Sequence, residues 1–299
     1  MKAMILAAGL GTRLRPLTDG KPKALVPVAN QPVLSRVVEY LKRHGVTEII
    51  VNAHHHCEQI VDFVDQGRPF GIPMEVRIEK EILGTGGGIR NTLDFWNHEA
   101  FVVINSDILT DIDLGQAVEA HKRSGDIVTL VLHKYEPFNQ IALREGNKIR
   151  TIGRHAHPGC FAFTGIHIME PPLLRHIPGN QYFDMIQCYR QLLQAGTPIN
   201  GFLSEGHKWW DIGSLESYRS ANKEAARSEV MVGQECEIHP STRFSGWAVV
   251  GEKVTLEART EIHQSILWDG VVVKADMHIS NSIITTSRII DRPYSGEVF

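Results

Sequence analysis

The stretch Ala7-Ala8-Gly9-Leu10-Gly11-Thr12-Arg13 follows directly on an apolar run and combines small residues with one guanidinium. Glycines here let backbone N–H groups approach a phosphate or a base without a Cβ in the way. Arg13 adds a fork of donors suited to phosphate oxygens. A Walker loop needs Lys-Ser or Lys-Thr after its last glycine, and Thr12-Arg13 stands there instead. A dinucleotide fingerprint needs a third glycine where Leu14 stands. Gly-x-Gly by itself reads equally well as a bare turn. Two carboxylates are the second chemical feature. Asp107 follows the apolar run Phe101–Ile104 after Asn105-Ser106, and a carboxylate just past a strand end points into the ligand crevice of an α/β sheet. Asp211 sits in Trp209-Trp210-Asp211-Ile212-Gly213, and spacing alone does not place it beside Asp107. Each aspartate reads also as a turn or helix-capping residue.

The elements that must position these groups follow from periodicity. Short apolar or β-branched runs predict strands at Ala3–Leu6, Glu48–Val51, Glu75–Ile78, Phe101–Ile104 and Ile127–Leu132. Helical spacing separates them, as in Val33–His44, where Val33, Val37, Val38 and Leu41 share one face; Glu58–Val64 and Leu114–Arg123 behave alike. Such alternation predicts an α/β fold, a Rossmann-like, mostly parallel sheet with helices on both faces. From about Val230 the period changes: Ile238, Phe244, Val250, Leu256, Ile262 and Trp268 recur every six residues. Thr242, Ala248, Val254, Thr260, Ile266 and Val272 recur four places after each. A helix cannot keep a period of six on one face, and a solenoid with short flat faces can. We therefore expect domains at 1–228 and 229–299, with the helix Leu215–Ser228 joining them. An irregular β-rich tail is the alternative.

The loop continues as Leu14-Arg15-Pro16-Leu17-Thr18 and, after two residues, Lys21-Pro22-Lys23-Ala24-Leu25-Val26-Pro27-Val28. This long motif resembles the signature of the sugar-1-phosphate nucleotidyltransferases, position by position. The resemblance implies that Ala7, Ala8, Gly9, Gly11, Thr12 and Arg13 wrap a nucleoside triphosphate and that Lys23 contacts its phosphates. It implies that Asp107, together with Asp211 in a Trp-x-Asp-x-Gly element, holds Mg²⁺, a hard ion that takes oxygen ligands. Gly84-Thr85-Gly86-Gly87-Gly88 is similar to the family's glycine-rich element near base and sugar, in the form found in N-acetylmuramate-1-phosphate uridylyltransferases; Gly84 and Thr85 then face the nucleotide and Gly86 the sugar. Without a ligand it reads as a flexible loop. Asn105, Thr164 and Gly165 match sugar-contacting positions, and Asp184 falls in the sugar-pocket region or caps the following helix. The family's Glu-Lys-Pro segment is missing from Ile149–Gly159, leaving Arg150, Arg154 and Lys208 as candidate cations for the sugar phosphate. The tail resembles the left-handed β-helix of hexapeptide repeats in mannose-1-phosphate guanylyltransferase-like proteins, echoed in Ser265-Ile266-Leu267-Trp268-Asp269-Gly270-Val271.

The implied reaction joins a nucleoside triphosphate to a sugar-1-phosphate and releases pyrophosphate. Two base and sugar choices stay open: guanylyl transfer to mannose or a heptose, and uridylyl transfer to N-acetylmuramate. Some homologous proteins bind sugar nucleotides without catalysis; Arg13, Lys23, Asp107 and Asp211 are all present, which favours an enzyme. A hexapeptide acyltransferase needs a longer solenoid wall. An open last coil invites a second copy, so homo-oligomerisation through the tail is expected. Among 299 residues, 31 Lys+Arg against 34 Asp+Glu give a net charge of −3, so no global field draws the chain to nucleic acid or membrane. No run approaches the ~18 apolar residues of a membrane span. The amino-terminal apolar stretch is too short for a secretory signal. Four scattered cysteines without a Cys-x-x-Cys pair fit a reducing cytoplasm.

Overall fold

The computed structural model describes residues 1–66, 70–226, 229–285 and 287–299. They form two compact units: Met1–Leu10, Pro22–Ala24 and Leu34–Asp211 in the first, Gly11–Lys21, Leu25–Val33 and Ile212–Phe299 in the second. The expected boundary at Ser228 lies outside the described residues. Helices among the described residues are α1 (Val33–Arg43), α2 (Cys57–Gln66), α3 (Gly84–Arg90), α4 (Leu114–Ser124), α5 (Met185–Gln194) and α6 (Leu215–Ala225). Strands up to residue 211 are β1 (Lys2–Leu6), β2 (Pro27–Val28), β3 (Gln31–Pro32), β4 (Glu48–Ala53), β5 (Met74–Ile78), β6 (Phe101–Asn105), β7 (Ile108–Thr110), β8 (Val128–His133), β9 (Asn139–Arg144), β10 (Lys148–Ile152), β11 (Phe161–Met169), β12 (Asn200–Leu203) and β13 (Trp209–Asp211).

Local sequence explains the helices. In α1, Val33, Leu34, Val37, Val38 and Leu41 recur at helical spacing and all are buried. Asp113 caps α4 by accepting from Gln116 N–H, and Gly125 at φ 65° stops it in the left-handed conformation. The first unit's sheet has the order β5-β4-β1-β6-β11-β8-β12-β10-β9. β5, β4, β1 and β6 run parallel, as expected. β11 is antiparallel to both β6 and β8, while β12 is parallel to β8. The sheet is therefore mixed, and the carboxyl ends of β1, β4, β6, β8 and β12 share one edge. Reversal comes from short connections that hydrophobic periodicity does not report. One is the β9–β10 hairpin, turning at Gly146 and Asn147 with φ of 71° and 59°.

In the second unit β2 and β3 form a two-residue hairpin. Ser214 caps α6 in a reciprocal box with Ser217. Short parallel strands then stack in rows. One row runs Val230–Val232, Arg243–Val250, Glu261–Leu267, His278–Ser280, Tyr294–Ser295; another runs Glu237–Ile238, Thr255–Leu256, Val272–Val273, Ile289–Ile290. Partners lie about three hexads apart, with Arg243 beside Glu261 and Glu237 beside Thr255. The hexad residues Val250, Leu256, Ile262 and Trp268 are buried, and Ile238 and Phe244 pack half-buried on the same core. No helix among the described residues is long and apolar enough to cross a membrane.

One packing contact makes a pH prediction. His167 on β11 is buried, and its Nδ1 hydrogen-bonds the Tyr189 hydroxyl on α5. Burial pushes the imidazole down to about 3, so the ring is neutral near pH 7. The unfolded chain, with an ordinary histidine near pH ~6.5, takes up the proton first. Stability is therefore lost as pH falls from that value toward 3. Urea unfolding should show His167 removing about 2 kcal/mol between roughly pH 7 and pH 5. His167→Gln should lack that share; an unchanged acid slope in the variant would contradict the assignment.

Candidate functional site

β4 and β6 flank β1 on opposite sides, so the order of connections reverses there. Open α/β sheets take their ligands at such a point, beyond the carboxyl ends of the strands. Leu6 and Asn105 pair in register, and Ser106 N–H donates to Leu6 O at 3.0 Å. The loops Ala7–Leu10 and Asn105–Asp107 thus leave the sheet side by side. Lys23 reaches Oδ2 of Asp107 in an ion pair whose two side chains are largely buried. The other oxygen of Asp107 is buried too and takes no hydrogen bond among the described residues.

The distant aspartate arrives through a two-stranded ribbon. β13 pairs antiparallel with β7, setting Asp211 opposite Ile108 and hence one residue from Asp107. Trp209 explains how the ribbon is fixed: its ring is buried and its Nε1–H donates to Thr164 O at 2.9 Å. Lys208 is held through its backbone, with N–H donating to Asp111 Oδ1 at 2.6 Å. A buried carboxylate oxygen that no donor satisfies is costly. Asp107, with Asp211 beside it, fits the oxygen donor set a hard divalent cation takes.

Other expected residues gather in two further groups. Asn105 lies over Gly165: a Cβ at Gly165, whose φ is +80°, would come within 2.6 Å of Asn105 Nδ2. Thr85 and Asp184 meet as well, since Thr85 Oγ1 accepts Met185 N–H at 2.9 Å and donates to Asp184 Oδ1 at 3.4 Å. Asp184 is the N-cap of α5 and accepts Ile186 N–H at 2.9 Å.

The glycine-rich stretch from Gly84 is the start of a helix, so the alternative of a flexible loop does not hold. Glycine is a poor helix former, and packing overrides it here. A Cβ at Gly86 would lie 2.9 Å from the Phe183 ring, and one at Gly87 2.6 Å from Gln181 O. Thr164, expected on the sugar, turns its side chain inward instead. It is fully buried and its hydroxyl donates to Val131 O at 2.8 Å, where β11 slips register against β8.

Gly11, Thr12 and Arg13 belong to the second unit. Gly11 adopts φ 64° and caps a short 3₁₀ turn, Thr12–Leu14, while Thr18 Oγ1 donates to Gly11 O at 2.9 Å. Leu14 and Leu17 are buried, so the chain presents Arg13 outward from an anchored turn.

Two functional candidates escaped the sequence reading. Ala7 N–H donates to Asn52 Oδ1 at 2.8 Å, and Asn52 Nδ2 donates to Glu79 Oε1 at 2.7 Å. Glu79 Oε2 then accepts Leu83 N–H at 3.0 Å. Both side chains are buried, so the relay ties the first glycine-rich loop to the start of α3. The available signal was position: each residue stands at or just past the carboxyl end of a predicted strand.

With this geometry in place, the chain compares closely with known proteins. A profile of the family described as Nucleotidyl transferase matches residues 2–228, and the chain belongs to that family. It is 29% identical, over 93% of its length, to UTP–glucose-1-phosphate uridylyltransferase of Synechocystis sp., spanning 74% of that protein. It is also 29% identical, over 75% of its length, to D-glycero-alpha-D-manno-heptose 1-phosphate guanylyltransferase of Aneurinibacillus thermoaerophilus, spanning 98% of that protein. Among solved structures, HddC from Yersinia pseudotuberculosis complexed with GMP-PN superposes with a TM-score of 0.65 at 25% identity, over 75% of this chain and 98% of that one.

The contact at Gly165 is directly testable. Gly165→Ala should lower unfolding free energy by about 2 kcal/mol, from a left-handed alanine and the collision with Asn105. Combining it with Asn105→Ala removes the collision and should restore about half of that loss. Urea denaturation of both variants checks this; strictly additive losses would contradict the contact.

Proposed function

We propose that this chain catalyses transfer of a nucleotidyl group from a nucleoside triphosphate to a sugar-1-phosphate, giving a nucleoside-diphosphate sugar and pyrophosphate. The observation that carries the reading is the largely buried Lys23–Asp107 pair with Asp211 brought beside it by the β7–β13 register. The sugar phosphate is already ionised and needs no general base. Its oxygen attacks the α-phosphorus in line, the new P–O bond forming as the bond to pyrophosphate breaks. Lys23 offsets charge on the triphosphate, and Arg13 stabilises the departing pyrophosphate. Backbone N–H groups of Ala7, Ala8, Gly9, Gly11 and Thr12 orient the phosphates, which makes catalysis chiefly positioning and charge stabilisation. Asp107 and Asp211 would hold Mg²⁺, which when bound neutralises charge on the reacting phosphates. Asn105, Gly165 and Gly86 border the sugar side, with Gly84 and Thr85 toward the base and Asp184 supporting them through Thr85.

Relatives named for guanylyl transfer to heptose and uridylyl transfer to glucose support both a guanine and a uracil nucleotide as candidates. In this reading residues 1–228 are the catalytic domain and 229–299 a short left-handed β-helix of hexapeptide repeats; the reaction is placed in the cytoplasm. The strand Ile289–Ile290 ends its row, and Ile289 is 65% exposed, an open edge suited to a second copy of the chain. Ile289→Lys should then lower the oligomeric state seen by light scattering; an unchanged mass would sink tail-mediated assembly.

Activity is tested by pyrophosphate release from UTP, GTP, dTTP, ATP and CTP against mannose-, glucose-, N-acetylglucosamine-, N-acetylmuramate- and heptose-1-phosphates. One pair should dominate and depend on Mg²⁺. Lys23→Met and Asp107→Asn should each lower its kcat by about 100-fold or more. Silence of the folded wild type on every pair would move the reading to a sugar-nucleotide-binding subunit without catalysis.

A further inference from the structure

The signature does not end at Lys23; it runs on through Leu25-Val26-Pro27-Val28, which lies in the segment Leu25–Val33 of the second unit. There β2 and β3 turn at Ala29 and Asn30, whose φ values are 46° and 58°. Positive φ at both central residues is the pattern of a type I′ hairpin, which favours Asn-Gly or Asp-Gly. Alanine carries a Cβ that opposes this conformation, so the surroundings must hold it. Three side chains do so. Asn222 Oδ1 accepts Ala29 N–H at 2.9 Å, and its Nδ2 donates to Tyr218 O at 2.9 Å. Asn30 Nδ2 donates to Val250 O at 2.7 Å. The Tyr218 hydroxyl donates to Pro27 O at 2.7 Å and accepts Trp268 Nε1–H at 2.9 Å.

The directions in this relay are forced. Indole N–H can only donate and a carbonyl can only accept, so the single phenolic proton goes to Pro27. Tyr218 and Asn222 are fully buried and Trp268 nearly so, which strengthens the hydrogen bonds between them. Trp268 and Val250 belong to the carboxyl-terminal strand region. The guanidinium of Arg219, next to Tyr218 on α6, donates to the carbonyls of Asn281 and, at 3.2 Å, Gln264. Helix α6 is therefore fastened to the same strands that reach the hairpin.

We propose that Tyr218 and Trp268 are positioning residues: the carboxyl-terminal strands clamp the segment Leu25–Val33 through them and so preorganise the signature for its nucleotide. The catalytic half of this inference rests on the function proposed above. It gives the hexad tail a task inside each chain, separate from any contact between chains. Loss of the clamp lowers the fraction of binding-competent signature, which weakens apparent nucleotide affinity in proportion.

The test uses full-length protein. Tyr218→Phe keeps the ring and removes the hydroxyl. Amide exchange across residues 25–33, read without substrate, should speed up roughly tenfold, with KM for the triphosphate rising about tenfold and kcat changing less than about threefold. Trp268→Phe should move both in the same direction by less, because Tyr218 can still donate to Pro27. Ile262→Val, in the buried core of the tail but outside the relay, should leave that segment unchanged. Unchanged exchange in both Tyr218→Phe and Trp268→Phe, or an equal rise in Ile262→Val, would overturn the clamp. A wild type that turns over no substrate pair would defeat the functional reading, while the exchange comparison would still decide the clamp.

Discussion

A carboxylate withdrawn from water must find a partner, and Asp107 finds only half of one. Lys23 takes Oδ2, while Oδ1 stays buried without a hydrogen bond among the described residues. Desolvating both charges is expensive, and an incomplete partnership makes it more so. The surrounding architecture bears that cost. β1 and β6, in register at the switch point of the sheet, fix where the Asp107 loop departs. The ribbon of β7 and β13 adds Asp211, and Trp209 locks the ribbon to the slip in β11. Sites that stay unsatisfied in the protein alone suit charges that arrive with a ligand.

Several of the expected site residues are also held by contacts within the protein: the Thr164 hydroxyl bonds Val131 O, Asp184 caps α5, and the glycines of α3 leave room for the Tyr182–Met185 stretch. Asn52 and Glu79 pass hydrogen bonds from the first loop to α3, so the two glycine-rich stretches share one buried polar scaffold. Such a network specifies one arrangement when every member is satisfied.

Much of this was legible in the sequence, for reasons that can be stated. Apolar runs of about five residues located β1, β4, β5, β6 and β8, and helical spacing located α1, α2 and α4. The hexad rule selected Val250, Leu256, Ile262 and Trp268, which are buried. What remained hidden was long-range. β11 reads as a ligand-contact segment in the chain, but it lies reversed between two parallel strands. Apart from the family resemblance, Asp211 could be joined to Asp107 only by strand register, and local patterns carry no register between segments a hundred residues apart. Likewise Tyr218 gave no signal, because its role depends on an indole fifty residues further on.

The central claim is that Asp107 and Asp211 together hold a divalent cation beside Lys23 when nucleotide is bound. Mn²⁺ titration followed by electron paramagnetic resonance, in the presence of a non-hydrolysable nucleoside triphosphate, addresses it without reliance on turnover. The account predicts one tight Mn²⁺ per wild-type chain, with affinity falling by about 100-fold or more in Asp107→Asn. Equal Mn²⁺ affinity in wild type and variant would contradict it.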